Sequence, residues 1–302
     1  MKNFLSINDL SREDIESLVN LALKLKKNRE VRRNDLEGKH IVLIFEKPSL
    51  RTRLSFEVAI RELGGNHYFL GQGEVGLGKR EAIKDIARVI SRYGQGVVLR
   101  TFGHQTLMEF VDNSQVPVIN ALTDLEHPCQ VMSDILTIYE KVGRLDGFKL
   151  VYIGDGNNVC NSLVQLATKL DFQLAIATPS GYEPSEKFLQ DGLSRGNIKL
   201  YEEPQEAVQG ADFIYTDVWT SMGWEDEREE RKKRFRKFQV NSQLLKNVNR
   251  KYYVMHCLPA HRGEEITDEV IDSENSIVIE QAENRLHMHK AILLSIFREN
   301  QP

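Results

Sequence analysis

The apolar run Ile41 to Phe45 reads as a strand buried on both faces, the pattern of a parallel sheet. Pro48 ends it. From Ser49 the period changes: Leu54, Val58, Ala59 and Leu63 fall roughly on one helical face, and Gly64–Gly65 stops the helix. Before this unit, Ser11-Arg-Glu-Asp14 resembles a capping box, and Ile15, Leu18, Val19 and Ala22 carry helical spacing to about Lys27. After it come a short strand, His67 to Leu70, and the glycine-rich segment 71–78, expected to be a loop without fixed structure. A helix from Glu81 to Tyr93 shows Ile83, Ile86, Ala87 and Ile90 on one face. The strand Val97–Leu99, a helix over Glu109–Asp112, the strand Val116–Ile119 and a long helix from His127 to about Lys141 follow.

The pattern then restarts. Lys149–Ile153, Gln173–Ala177, Lys199–Leu200 and Phe213–Thr216 read as strands, with a helix over Glu183–Leu193 between them. The charge-rich segment Trp224 to Phe238 reads mostly as a solvated helix. Tyr252–Met255 and Ile277–Ile279 are the last predicted strands, and Gln281–Arg298 the terminal helix. Two successive alternations of strand and helix predict an α/β protein of two doubly wound parallel-sheet domains.

The length of 302 residues suits two domains of ordinary size. Charged residues at 28% and hydrophobic residues at 41% are those of an ordinary soluble globular protein. A formal net charge of -4 offers no reason to expect nucleic acid or an anionic membrane as partner. No apolar run spans a bilayer, and the first residues lack the apolar core of a signal peptide. Cys129, Cys160 and Cys257 are few, widely spaced and without metal-ligand spacing, so a cytoplasmic protein is expected.

Several polar residues stand where such a fold binds ligands. Ser49 occupies an N-cap position, and Arg51, Thr52 and Arg53 lie in the first helical turn. Helix N-termini bind anions through unpaired N–H groups, and arginine adds a fork that matches phosphate. A capped helix with solvated arginines explains the local pattern about as well. Arg100 sits at a strand's C-terminal end, where parallel sheets bind ligands. His127 and Gln130 share one face at a helix start, able to offer a donor and an acceptor to one small group. Gly154-Asp-Gly-Asn-Asn158 follows a strand but lacks the third glycine of a dinucleotide fingerprint, so no nucleotide site is inferred. Asp217 closes a strand. Cys257, most simply a small core residue, precedes Leu258–Pro259, a turn that exposes carbonyls.

Ser49-Leu-Arg-Thr-Arg53 resembles the Ser-Thr-Arg-Thr-Arg phosphate loop of the carbamoyltransferases. His127-Pro-Cys-Gln130, Gly154-Asp-Gly-Asn-Asn158, Asp217-Val-Trp-Thr-Ser221-Met222-Gly223 and His256-Cys-Leu-Pro259 match in the same order, over nearly the whole chain. The third and fourth resemble the ornithine branch of the family. The resemblance implies a carbamoyl phosphate-binding domain, residues 1–134 plus the terminal helix 282–302, and an ornithine-binding domain, 135–281, with the active site in the cleft between them. It implies transfer of the carbamoyl group to the side-chain amine of L-ornithine, giving citrulline.

The resemblance also implies the residue roles. Ser49, Leu50, Arg51, Thr52 and Arg285 are expected at carbamoyl phosphate, with Arg100 and His127 catalytic at its carbonyl oxygen. Gln130 and the Cys257 and Leu258 carbonyls are expected at its NH2, and the Cys257 thiol at the reacting amine. Asn158, Asp217, Ser221 and Met222 are expected at ornithine. No metal or organic cofactor is implied. The family is trimeric, and its loop corresponding to 71–78 reaches a neighbour's site with a polar side chain; Gly76 stands at that position here. Two other readings stay open: a sister transferase acting on putrescine or an acylated ornithine, and a non-catalytic homologue.

Overall fold

The computed structural model describes residues 1–220 and 225–299. The chain divides into two compact units, 1–136 with 284–302, and 137–283. In the first, α1 (Arg12–Lys27), β1 (His40–Phe45), α2 (Leu50–Glu62), β2 (Asn66–Gly71), α3 (Gln72–Val75), α4 (Ile83–Tyr93), β3 (Gly96–Arg100), α5 (His104–Asn113), β4 (Val118–Leu122) and the start of α6 (Pro128–Val142) succeed one another. Its sheet is wholly parallel, in the order β2-β1-β3-β4. Val42, Ile44, Val97, Leu99 and Val118 pack with Ile83, Ile86, Ile90, Leu107 and Phe110 in one cluster. That is the two-residue period of β1 and β3 meeting one face each of α4 and α5.

The second unit continues with β5 (Lys149–Ile153), α7 (Asn158–Lys169), β6 (Gln173–Ala177), α8 (Glu186–Arg195), β7 (Ile198–Tyr201), α9 (Pro204–Ala207) and β8 (Phe213–Thr216). It ends with α10 (Arg228–Phe235), α11 (Ser242–Leu245), β9 (Tyr253–His256), α12 (Asp268–Ile271) and the first turns of α13 (Val278–Glu299). Its parallel sheet runs β7-β6-β5-β8-β9. The architecture is two parallel-sheet α/β units. Among the described residues no helix is long and apolar enough to cross a membrane.

Five local expectations give way. The segment 71–78 is not shapeless: α3 forms because Glu74 Oε2 accepts from the Gly71 N–H at 2.7 Å, and Gly76 closes the turn at φ +56°. The helix placed at 109–112 begins at His104, whose Nδ1 bonds Thr123 Oγ1 at 3.1 Å. The strand placed at 116–119 runs Val118–Leu122 instead. Pro117 has no N–H to give the ladder, and the buried Asn120 donates Nδ2 to the Leu5 carbonyl at 2.8 Å. The charged segment is solvated on one side only. Phe235 and Phe238 are buried, and Phe235 meets Tyr182 at 4.9 Å between ring centroids. Ile277–Ile279 is not a strand, because α13 already begins at Val278 and only single contacts with Val254 precede it.

Candidate active site

In the first unit the polar residues gather where strands end and helices begin. Ser49 is the N-cap of α2, and its Oγ accepts from the Thr52 N–H at 3.2 Å. No acidic residue stands in the first turn. Arg51 and Arg53 are there instead, cations at the positive end of the helix dipole; Arg53 is already paired, its Nε donating to Glu57 Oε1 at 2.8 Å and its guanidinium lying over the Phe69 ring. Leu50 is 68% exposed, so its side chain adds nothing to the core and its N–H remains a backbone contact.

Arg100 ends β3 at an irregularity: Leu99 pairs with Asn120, but Arg100 pairs with Leu122. The skipped residue re-aims the end of the strand. Its neighbourhood is tied down, since the Arg100 carbonyl accepts from the Glu46 N–H at 2.8 Å and Thr101 Oγ1 donates to the Glu46 carboxylate. Lys47 is buried against Asp124, with Phe102 beneath its ammonium at 4.5 Å.

His127 precedes the first turn of α6 and is buried. Burial holds its imidazole well below the ordinary histidine value, and Arg285, Arg100 and His289 add to the effect. The ring is therefore neutral at pH 7, an N–H donor without net charge. The mutual influence also places Arg100, His127 and Arg285 in one cationic neighbourhood. Arg285, on α13, donates Nη2 to Thr52 Oγ1 at 2.6 Å, and both are buried. Gln130 is buried on α6, donating Nε2 to Asp134 Oδ1 at 2.8 Å. Thus Ser49, Thr52, Arg100, His127, Gln130 and Arg285 belong to this unit, as does Gly76, the left-handed end of α3.

In the second unit, β5, β8 and β9 are neighbours, and their C-terminal ends carry Gly154, Asp217 and Cys257. Asp217 is a junction. Its Oδ2 accepts from Asn157 Nδ2 at 2.7 Å, and its Oδ1 from Cys257 Sγ at 2.9 Å and the Val218 N–H at 2.8 Å. Sequence reasoning singled out Asn158, which opens α7 half-buried. It passed over Asn157, the cap itself, whose Oδ1 accepts from Val159, Cys160 and the Tyr152 hydroxyl. An asparagine directly before an apolar helix was the available signal. Gly156 is required by space, since a Cβ there would stand 2.2 Å from Pro184 N. Ser221, Met222 and Gly223 lie outside the described residues.

Sequence reasoning also missed Asp155 and Arg231. Their side chains pair at 3.0 Å, and Arg231 Nη1 donates to the Trp219 carbonyl. Burial nevertheless pushes the Asp155 carboxyl up to about 6, with Asp217 adding repulsion and Arg231 opposing.

Asp217, His256 and Cys257 offer three ligand atoms within 4.8 Å of one another. The hydrogen bonds argue against a metal there. His256 Nδ1 accepts from the Leu258 N–H at 2.8 Å, so the ring proton sits on Nε2, which faces Glu265 at 3.0 Å. Neither nitrogen has a lone pair left for a cation. The same bond holds Leu258 at φ +55°.

Together these features define a two-unit α/β enzyme with a cationic, anion-receptive end in its first unit and a carboxylate–thiol pair in its second. The family profile described as aspartate/ornithine carbamoyltransferase, carbamoyl-P binding domain, matches residues 2–140. Its companion, the Asp/Orn binding domain, matches 146–296. An ornithine carbamoyltransferase of Archaeoglobus fulgidus is 50% identical over 299 residues, covering 98% of this chain and 97% of that protein. The ornithine carbamoyltransferase structure from Pyrococcus furiosus superposes with a TM-score of 0.94 at 46% identity, covering 99% and 98% of the two chains. That from Thermus thermophilus gives 0.90 at 42%, covering 98% and 99%. The chain belongs to the aspartate/ornithine carbamoyltransferase family.

Proposed function

We propose that this enzyme transfers the carbamoyl group of carbamoyl phosphate to the side-chain amine of L-ornithine, giving L-citrulline and phosphate. One observation carries the reading beyond resemblance. Two buried cations, Arg100 and Arg285, share the neighbourhood of the buried, neutral His127 in the unit where Ser49 caps α2. Like charges gathered away from water are costly, and a phosphate ester with a carbonyl beside it offsets that cost.

In the proposed reaction Ser49, Arg51, Thr52 and the amides from Leu50 onward hold the phosphate. Arg100, neutral His127 and Thr52 donate to the carbonyl oxygen and stabilise the oxyanion of the tetrahedral intermediate. Arg285 supports Thr52 and adds charge near carbamoyl phosphate. Gln130 and the Cys257 and Leu258 carbonyls receive the carbamoyl NH2. Asp217, with Asn158, Ser221 and Met222, holds ornithine by its α-amino and carboxylate end, leaving the side-chain amine to meet Cys257. The amine attacks the carbonyl carbon, the C–O bond to phosphate breaks, the electron pair leaves with phosphate, already a good leaving group, and the departing phosphate takes up the proton that the amine nitrogen sheds. The residues of 1–134 and 282–302 form the carbamoyl phosphate domain in this reading, and 135–281 the ornithine domain. We further propose a cytoplasmic homotrimer or multiple of trimers, acting in arginine biosynthesis, in which the segment around Gly76 serves a neighbouring subunit.

A citrulline assay on the purified chain, with putrescine and N-acetylornithine as competing amines, tests the assignment. Carbamoylation of ornithine far above the other amines is expected. A preference for either alternative, or no transfer at all, overturns it.

A further inference from the structure

We propose that Asp134 is a positioning residue that fixes the side-chain amide of Gln130 so that its carbonyl faces the NH2 of the carbamoyl group, making the site selective for a primary carbamoyl over an acyl phosphate. The inference rests on the placement of Gln130 at carbamoyl phosphate.

Gln130 and Asp134 stand one turn apart on α6 and are 1% and 0% exposed. Gln130 Nε2 donates to Asp134 Oδ1 at 2.8 Å. A glutamine amide is nearly symmetric in shape but opposite in chemistry at its two ends. A carboxylate removes the ambiguity, because it accepts and does not donate. Only the NH2 end can face Asp134, so the carbonyl end must face away. Gln130 Oε1 is buried there and meets no donor among the described residues. A buried acceptor left in this state is unfavourable unless a ligand completes it.

The missing partner is a donor, which excludes an ester or carboxylate oxygen and suits an amide N–H. His127, three residues earlier, is buried and neutral, and donates where Gln130 accepts. The pair reads the two ends of a carbamoyl group in opposite senses. An acetyl group keeps the carbonyl oxygen but puts a methyl against Gln130 Oε1, leaving that oxygen unpaired. An orientable glutamine could turn its NH2 outward and lose the distinction; the carboxylate of Asp134 prevents the turn.

The test compares dissociation constants for carbamoyl phosphate, acetyl phosphate and inorganic phosphate, by calorimetry at low temperature, in wild type, Asp134→Asn and Gln130→Leu. Asparagine keeps the shape but can donate or accept, so the Gln130 amide is free to settle either way round. Asp134→Asn is expected to weaken carbamoyl phosphate roughly tenfold, the scale of one hydrogen bond, with acetyl phosphate and phosphate changed less than about twofold. Gln130→Leu should lose the same preference, and the double variant should lose no more than either. Equal weakening of all three ligands in Asp134→Asn shows a merely structural residue and overturns the inference. So does retained preference in Asp134→Asn when Gln130→Leu has lost it. Retained preference in Gln130→Leu instead overturns the placement of Gln130 itself. Should Asp134→Asn fail to fold, Asp134→Ser, which also donates and accepts, takes its place: selective loss of carbamoyl phosphate supports the inference, and equal weakening or retained preference overturns it.

Discussion

Arg285 Nη2 donates to Thr52 Oγ1 at 2.6 Å, joining positions 233 residues apart in the chain. Thr52 also gives its N–H to the cap of α2. One residue thus ties the terminal helix to the turn proposed to hold phosphate.

Thr52→Val keeps the shape of that residue and removes the acceptor. A buried guanidinium then loses that hydrogen bond, at a cost of about 1–3 kcal/mol. A lower urea midpoint and weaker phosphate binding are expected. An unchanged midpoint with unchanged phosphate affinity removes the Arg285–Thr52 contact from both roles.

Burial lowers the proton affinity of His127 and His289 from the ordinary value of 6.5. The unfolded chain therefore binds more protons than the folded one below about that pH. The contribution of these two histidines to stability is intact above pH 6.5 and falls as the pH drops through it and beyond. In His289→Phe, which retains a ring to stack on Phe56, the acid slope should be shallower. Urea midpoints between pH 5 and 8 check this, and equal slopes in both proteins contradict it.

Asp155 has the opposite sign. Its folded carboxyl titrates near 6, raised from 3.8, so it holds its proton more tightly than in the unfolded chain. Its contribution to stability is present below about pH 4 and is lost as the pH rises to about 6. Carbon-13 NMR of the carboxyl should report a midpoint near that value. Arg231→Met should raise it further, because Arg231 is the group opposing burial. A midpoint that falls in the variant contradicts the electrostatic account.

The attacking amine must be neutral, and a free alkyl ammonium has a pKa of about 10.4. kcat/KM for ornithine should therefore rise about tenfold per pH unit until another group titrates. Asp217→Asn, which weakens a carboxylate bonded to both Asn157 and Cys257, should damage ornithine binding far more than carbamoyl phosphate binding. A flat profile from pH 6 to 8 with chemistry rate-limiting, or unchanged ornithine affinity in the variant, counts against these assignments.

Mixing inactive Arg100→Ala subunits with inactive subunits lacking the segment 71–78 should restore part of the activity, if that segment serves a neighbour. Subunit exchange seen by mass spectrometry without any return of activity excludes a role in trans.

Much of the fold is legible in the chain because parallel strands and amphipathic helices leave local patterns. Lys149–Ile153 is a strand between turn residues, and the Ser11–Asp14 capping box forms with bonds of 2.9 and 3.1 Å in both directions. Composition misled where one interaction outweighed it: Glu74 capping Gly71 gave order to a glycine-rich segment, and Phe235 and Phe238 buried one side of a charged one. The sequence by itself determined which residues end strands and open helices, since a polar residue after an apolar run marks that place. Only the tertiary structure decided their partners and charge states. Arg285 reaches Thr52, the Cys257 thiol donates a hydrogen bond to Asp217, and His127 is neutral because distant segments pack around it and remove water. Hydrogen bonding and desolvation depend on proximity in space, which a linear order of residues does not encode.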